Sequence, residues 1–425
     1  MDNKLMLRRR FLKTSALFAV PLFLPGRALG RGGAVAPNEK ITLAGIGIGR
    51  RGQVDLQVCL ERSDVHFVAD SDARRDRRDE VKKMVDTFYE NQDCATYIDM
   101  LEMLERPDID AVIIATGDRW HTLASVLAAK AGKDIFCEKP LSLTIQESLS
   151  VAEAVNNYGR IFQAGTQRRN IGNFQLAAKF VHEGKLGKLL EVHANIRPPA
   201  VKYDWLPAQP EPPREELDWD RWLGPSPWRP YNEFYLKTWH TNFDFHGGGI
   251  LEWGTHTVDL CQWANCADHT VPVEYWPVLD GDGHRTSVCE ARYANGVKLV
   301  LRESGWLGLG SCSARYVGEE GWVETGDTGR MEVSSDALRK ELRYFGTPGT
   351  DPVAHLAEFF DCVRTRKNPS ANANVACMTH IANHCAYISW QLGRKIGYDP
   401  LKNEFPNEPD ANVMRSRAMR EPWRL

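Results

Sequence analysis

Short apolar runs separated by polar stretches organise the first third of the chain. Residues 40–46 (KITLAGI), 65–69 (VHFVA), 111–115 (AVIIA) and 134–137 (DIFC) are too short for helices and nearly continuous in apolar character. Each therefore predicts a buried strand. Residues 54–61 predict a helix after the first strand, and the small-residue run 123–131 predicts one after the third. Alternating buried strands and helices are the pattern of a doubly wound parallel sheet, which carries ligand groups at the carboxyl ends of its strands. Further on the pattern changes. Residues 189–196, 287–293 and 297–302 read as strands, the last two joined by a hairpin turn at Asn295-Gly296. Helices return at 353–365 and 378–392. The fold class expected is α/β, a Rossmann-type domain followed by an α+β domain.

Composition narrows this only a little. A chain of 425 residues has room for two domains, and 43% apolar with 26% charged residues is ordinary globular usage. The net charge of −3 gives no basic excess for nucleic acid and no acidic tail. The ten cysteines include no C-x-x-C, the closest pair being Cys261 and Cys266. Most read as small buried apolar groups, and a disulfide stays open.

The first 30 residues read as an address. Arg8-Arg9-Arg10-Phe11-Leu12-Lys13 fits the twin-arginine pattern R-R-x-F-L-K, an apolar run covers 16–24, and Ala28-Leu29-Gly30 is an A-x-A-like cleavage site. Residues 1–30 are therefore expected to be a twin-arginine signal peptide directing export to the periplasm or another extracytoplasmic space. The run is too short to span a bilayer with ease, and no later stretch approaches 18 uninterrupted apolar residues. No stable membrane insertion is expected after cleavage.

The first strand leads into Gly47-Ile48-Gly49-Arg50-Arg51-Gly52, a G-x-G-x-x-G. Glycines here allow a tight turn and close approach of backbone to a pyrophosphate, which a helix N-terminus then holds. Asp70 ends the second strand 21 residues after Gly49, the spacing of a carboxylate that accepts from ribose hydroxyls. A carboxylate there favours NAD over NADP. Asp72 could share the role, while Arg74 and Arg75 could pair with a phosphate, so NADP stays open. Asp70 could equally cap a helix.

Several further segments carry a resemblance. They are Ala115-Thr116-Gly117-Asp118 through His121, Cys137-Glu138-Lys139-Pro140, Ala164-Gly165-Thr166-Gln167-Arg168-Arg169, Glu183-Gly184-Lys185-Leu186-Gly187, and Gly247-Gly248-Gly249 through His256 and Asp259. Together with the glycine turn they resemble the Gfo/Idh/MocA family (glucose–fructose oxidoreductase, inositol dehydrogenase, rhizopine catabolism) over residues 38–425. LDWDRWLGPSP at 217–227 and REPW at 420–423 resemble an exported subgroup. The resemblance implies a Rossmann domain over 38–165. It implies a substrate and oligomerisation domain over 166–425, built on a large, mostly antiparallel open sheet. It also implies a homo-oligomer and a cofactor site for NAD, with NADP possible, drawn from Gly47, Gly49, Arg50, Gly52, Asp70, Thr116, Asp118, His121, Glu138, Lys139, Gln167 and Arg168.

Oxidising a sugar carbinol requires a C–H facing the nicotinamide, a base for the hydroxyl proton and a donor for developing charge. The resemblance gives Lys139 the substrate-facing role. His256 is the second catalytic candidate. The position four before it, one helical turn away, is commonly Asp in the family and is Glu252 here. Lys139, Glu252 and His256 are thus expected to form the catalytic trio. His240, His246, Glu252 and His256 form no metal-binding spacing, so no metal is expected. His380 and His384 stand at i, i+4 and are expected to be packed or cofactor-adjacent. Trp219, Trp222, Trp228, Tyr231, Tyr235 and Trp239 could stack on a sugar or pack on a partner subunit.

The function expected is NAD(P)-dependent oxidoreduction of a carbohydrate. One alternative is redox-assisted glycoside cleavage on the same fold, and another is a catalytically silent carbohydrate sensor. Export bears on the choice. An exported enzyme has no nicotinamide pool to draw on, which predicts a tightly held cofactor restored in every cycle.

Overall fold

A computed structural model describes residues 36–198 and 205–425. The signal expected at 1–30 lies outside the described residues. Six strands form the first sheet: β1 (Ile41–Ile46), β2 (Val65–Ser71), β3 (Ala95–Tyr97), β4 (Ala111–Ile114), β5 (Asp134–Cys137) and β6 (Phe162–Ala164). They lie in the order β3-β2-β1-β4-β5-β6, every neighbouring pair parallel. The order reverses between β1 and β4, and the crevice at that switch point is where this architecture holds ligands. The helices that flank the crevice are α1 (Arg50–Leu60), α2 (Arg75–Tyr89), α3 (Asp118–Lys130) and α4 (Ile145–Asn157).

The chain then builds a second sheet from β7 (Leu189–Asn195), β8 (Glu274–Leu279), β9 (Arg285–Arg292), β10 (Lys298–Arg302), β11 (Ala314–Gly318), β12 (Gly321–Thr325), β13 (Met331–Val333) and β14 (Ile396–Gly397). Its order is β13-β12-β11-β7-β10-β9-β8-β14, antiparallel throughout except where β10 meets β7. The turn expected at Asn295-Gly296 closes β9 onto β10. Gly296 sits at φ +90° there, a conformation that glycine adopts without steric cost. One face of this sheet packs on α5 (Gly248–Ala264) and α7 (Ala373–Leu392) through Val192, Ala194, Leu299, Tyr275, Val258 and Ile381.

Between them in sequence, α6 (Val353–Thr365) turns back to the first sheet, setting Leu356, Phe359 and Phe360 against Phe136 and Ile113. A helix of the second half of the chain thus completes the core of the first sheet. Nine of the ten cysteines are buried, Cys266 is exposed, and all ten are free. Among the described residues no helix is long and apolar enough to cross a membrane.

Candidate active site

A cavity of about 860 Å³ opens at the switch point. The three glycines of the turn serve it differently. Gly47 stands at φ +68°, and a Cβ there would lie 2.3 Å from Thr116 Cγ2, so the turn closes against β4 only with glycine. A Cβ on Gly52 would lie 2.8 Å from that of Ala115, so Gly52 lets α1 approach the sheet. A Cβ on Gly49 would meet nothing within 4 Å, and Gly49 lines the cavity. Its open face is room for a ligand's phosphates. The first turn of α1 contains no acidic residue to compete for its N–H groups. Arg50, Thr116, Asp118, His121, Glu138 and Lys139 line the same cavity. These residues fit a dinucleotide.

Asp70 does not line it. β2 continues through Ser71, which sets Asp70 in register beside Gly45, wholly buried, with neither carboxylate oxygen hydrogen-bonded. Burial, reinforced by Asp72, pushes its pKa well above the ordinary carboxylate value. Asp72 reaches the cavity instead, its Oδ1 accepting the Arg74 N–H at 2.9 Å. Arg74 and Arg77 also line the cavity, but Asp76 and Glu80 already pair with them at 2.5 and 2.7 Å. Gln167 and Arg168 likewise point elsewhere. Gln167 Nε2 donates to the Thr350 carbonyl at 3.4 Å, and Arg168 grips Asp327 with two bonds of 2.8 Å. Both tie the crossover to distant loops rather than line the cavity.

The end of β5 builds the reactive corner. Glu138 Oε1 accepts from Arg51 Nε at 3.0 Å and Oε2 accepts the Lys139 N–H at 3.1 Å. Burial would raise the Glu138 pKa, but Arg51 and Lys139 outweigh it and hold the carboxylate charged. A Cβ on Gly165 would lie 2.7 Å from Glu138 Cδ, so Gly165 makes space for this side chain. The segment after Lys139 is braced from behind. The Leu141 N–H donates to His380 Nε2 at 2.8 Å, and Ser142 meets His384 at 3.0 Å. His121 Nδ1 donates to the Pro140 carbonyl at 2.6 Å, and burial lowers its pKa.

Lys139 Nζ donates to the carbonyl oxygen and to Oε1 of Glu252, both at 3.1 Å. The other oxygen of Glu252 is taken by a histidine, but not by His256. His246 Nε2 donates to Glu252 Oε2 at 2.6 Å. The turn before α5 makes this contact. Gly248, at φ +76°, donates its N–H to His246 Nδ1 at 2.9 Å, and the Gly247 N–H donates to Asp118 Oδ2 at 3.1 Å. Asp118 Oδ2 also lies 3.7 Å from His246 Nε2. Burial opposes charge on His246, yet Asp118 and Glu252 together raise its pKa. Burial would raise Glu252 too, but the His246 bond and Lys139 pull it far below the ordinary range.

His256 is buried, its Nδ1 has no partner, and no hydrogen bond joins it to Glu252 among the described residues. Burial and the charges of Arg168, Lys139 and Arg51 push its pKa well down, so it is neutral. The trio expected from helical spacing is thus replaced, in hydrogen bonds, by Lys139–Glu252–His246. Sequence reading also missed Arg51; only its place in the glycine turn hinted at it.

The aromatic segment packs mainly on its own chain. Trp219 and Trp222 stack at 4.7 Å within a small core that includes Leu217, Tyr235 and Phe245. Trp222, Leu236 and Trp239 line the cavity, and Arg119 lies 3.9 Å over the Trp222 ring. The segment is fastened to the first domain. The Asp218 N–H donates to the Ala73 carbonyl at 3.0 Å, and Trp120 Nε1 donates to that of Arg221 at 2.9 Å. Trp423, near the chain end, meets Trp120 edge-on at 5.0 Å and also lines the cavity. Trp228 is 61% exposed. Among the described residues no group of three His, Cys, Asp or Glu side chains is placed to hold a metal ion.

A parallel sheet with a glycine turn at its switch point, followed in the chain by a second, mostly antiparallel sheet, defines a two-domain dinucleotide-binding protein. Residues 41–166 match the NAD-binding Rossmann fold of the Gfo/Idh/MocA oxidoreductase family, and residues 173–425 match that family's C-terminal alpha/beta domain. The chain belongs to this family. It is 32% identical over 155 residues to a myo-inositol 2-dehydrogenase of Thermotoga maritima, covering 36% of this chain and 45% of that protein. It is 42% identical over 90 residues to a scyllo-inositol 2-dehydrogenase (NAD(+)) of Bacillus subtilis, covering 21% and 26%. The chain thus spans less than half the length of these curated relatives. Among solved structures, the myo-inositol 2-dehydrogenase of Lactobacillus plantarum shares the fold with a TM-score of 0.60 at 19% identity, covering 85% of this chain and all of that one. The aldose-aldose oxidoreductase of Caulobacter crescentus, complexed with glycerol, does so with a TM-score of 0.59 at 18% identity, covering 84% and 99%.

Proposed function

We propose that the protein is an NAD(P)-dependent oxidoreductase acting on a CH–OH group of a sugar, polyol or sugar derivative. One observation carries the reading: Lys139 Nζ, held by Glu252 at 3.1 Å, stands in the same cavity as Gly47 and Gly49. The inositol dehydrogenases among its relatives support the substrate class. The backbone at Gly47 and Gly49, the start of α1, Thr116 and His121 would hold the dinucleotide, with Asp72 at the ribose. When bound, the nicotinamide supplies the acceptor and donor of hydride. Lys139, as an ammonium, orients the substrate hydroxyl and donates a hydrogen bond to its oxygen, while the hydroxyl proton passes to a neutral base, the role open to His256. Glu252 fixes the ammonium, and neutral His256 remains free to accept a hydrogen bond. Asp72, and the pairing of Arg74 and Arg77 with their own carboxylates, favour NAD over NADP.

Changing Lys139 to Ala is expected to lower kcat by about 10²–10⁴-fold while leaving the NAD dissociation constant within about 3-fold. Steady-state kinetics and cofactor titration measure the two, and unchanged turnover would refute the assignment. A second reading, oxidation-assisted glycoside cleavage, is favoured by a specific observation: the Glu252 carboxylate lines the cavity beside Lys139 and adds an acid–base group beyond the one that simple oxidation needs. We also propose export by the twin-arginine route, on the strength of residues 8–13, together with a tightly held, recycled cofactor and a homo-oligomeric state. The aromatic segment that roofs the cavity supports cofactor retention.

A further inference from the structure

The histidine that the family pattern points to and the histidine that the geometry joins to the reactive lysine are different residues. His246 is buried, and its Nε2 lies 2.6 Å from Glu252 Oε2. With Oε2 occupied, Glu252 turns Oε1 to Lys139 Nζ at 3.1 Å. In the neutral ring the Gly248 N–H on Nδ1 keeps the proton on Nε2, and the cation carries one there as well, so the ring donates to Glu252 in either charge state. Its surroundings come from four elements. Asp118 approaches from the start of α3 at 3.7 Å, Glu252 from α5, Lys139 from the end of β5 behind Glu252, and the Trp239 ring from the aromatic segment at 5.6 Å. His246 does not line the cavity, whereas Glu252 and Lys139 do.

We propose that His246 is a positioning residue for Lys139: it locks Glu252 in the orientation that holds the lysine ammonium in the cavity. This rests on the Lys139-centred reading above. A helix beginning at Gly248 offers the next-turn partner, His256, to any carboxylate at 252. Here the longer arm of glutamate reaches back across the glycine turn to residue 246 instead.

The test pairs kinetics with a measurement that needs no turnover. His246→Ala is expected to lower kcat about 100-fold, with KM and the NAD dissociation constant changing less than about 3-fold. His246→Gln should restore the rate to within about 10-fold, because its amide N–H still reaches Glu252 without titrating. In histidine-labelled protein without cofactor, the His246 resonance, assigned by its loss in H246Q, should titrate above the ordinary histidine range. It should fall back toward that range in Glu252→Gln. A wild-type rate in H246A overturns the proposal. So does failure of H246Q to recover, or a His246 midpoint that E252Q leaves in place. A wild-type protein that binds NAD but oxidises no sugar or polyol overturns the Lys139-centred reading instead, and the E252Q titration still decides whether the pair exists.

Discussion

Two aspartates two residues apart divide the tasks at the end of β2. Asp70 is buried without a partner and its pKa is raised; Asp72 faces the cavity. A carboxyl with a raised folded pKa keeps its proton where the unfolded chain has lost it, so unfolding releases a proton and stability falls as pH rises above the ordinary carboxylate value of about 4. Asp70→Asn removes that dependence. It is expected to stabilise the cofactor-free protein at pH 7 by about 1–2 kcal/mol and to leave stability near pH 3 unchanged, as denaturant unfolding at the two pH values would show. Asp72→Asn should reduce the pH dependence only in part, because burial of Asp70 remains, and weaken NAD binding about 10-fold. The spacing from Gly49 located the right strand end but could not separate these side chains, because that depends on where β2 stops. Residues two apart in a strand face the same side, but β2 ends at Ser71, so Asp72 escapes the pleat that buries Asp70.

At the scale of elements, legibility follows the range of the contact. The glycine turn is a local event: Gly47 and Gly49 line the cavity, while Gly52, expected to bind cofactor, does not and instead lets α1 approach the sheet. Gln167 and Arg168 look equally telling in sequence, yet their partners lie at Thr350 and Asp327, and no local pattern announces pairs so far apart. His246 fails for a subtler reason. Helical periodicity begins at Gly248, so it says nothing about a residue brought alongside Glu252 by the turn before the helix. The turn itself offers a clean separation of folding from binding. Gly49 has φ −82° and empty space where a side chain would go, so Gly49→Ala should fold with unchanged stability and lose NAD affinity by at least about 10-fold. Gly47→Ala, forced to keep φ +68° against Thr116, should instead cost about 2 kcal/mol or more. Thermal unfolding and cofactor titration on the two variants distinguish the effects.

The whole molecule encloses its cavity with parts far apart in sequence: the glycine turn, the aromatic segment and the last residues. Trp423 touches Trp120, Arg420 Nη2 donates to the carbonyls of Asp220 and Gly224 at 2.8 and 2.9 Å, and Arg417 pairs with Glu147 at 2.9 Å. The tail thereby fastens the aromatic segment to the first domain from outside. Such a roof slows dissociation of a bound dinucleotide more than association, because leaving requires it to open. That is the property a proposed exported enzyme needs where no nicotinamide is replenished. Trp423→Ala deletes one edge-on aromatic contact and a buried side chain that lines the cavity, a loss of about 3–5 kcal/mol. It is expected to raise the NAD dissociation rate about 10-fold, measured by chasing bound cofactor with excess analogue at a temperature well below its lowered unfolding midpoint. Wild-type protein recovered from outside the cytoplasm should carry nicotinamide, and the variant should lose it during purification. Equal dissociation rates for the two proteins would show that retention, if present, does not depend on the roof.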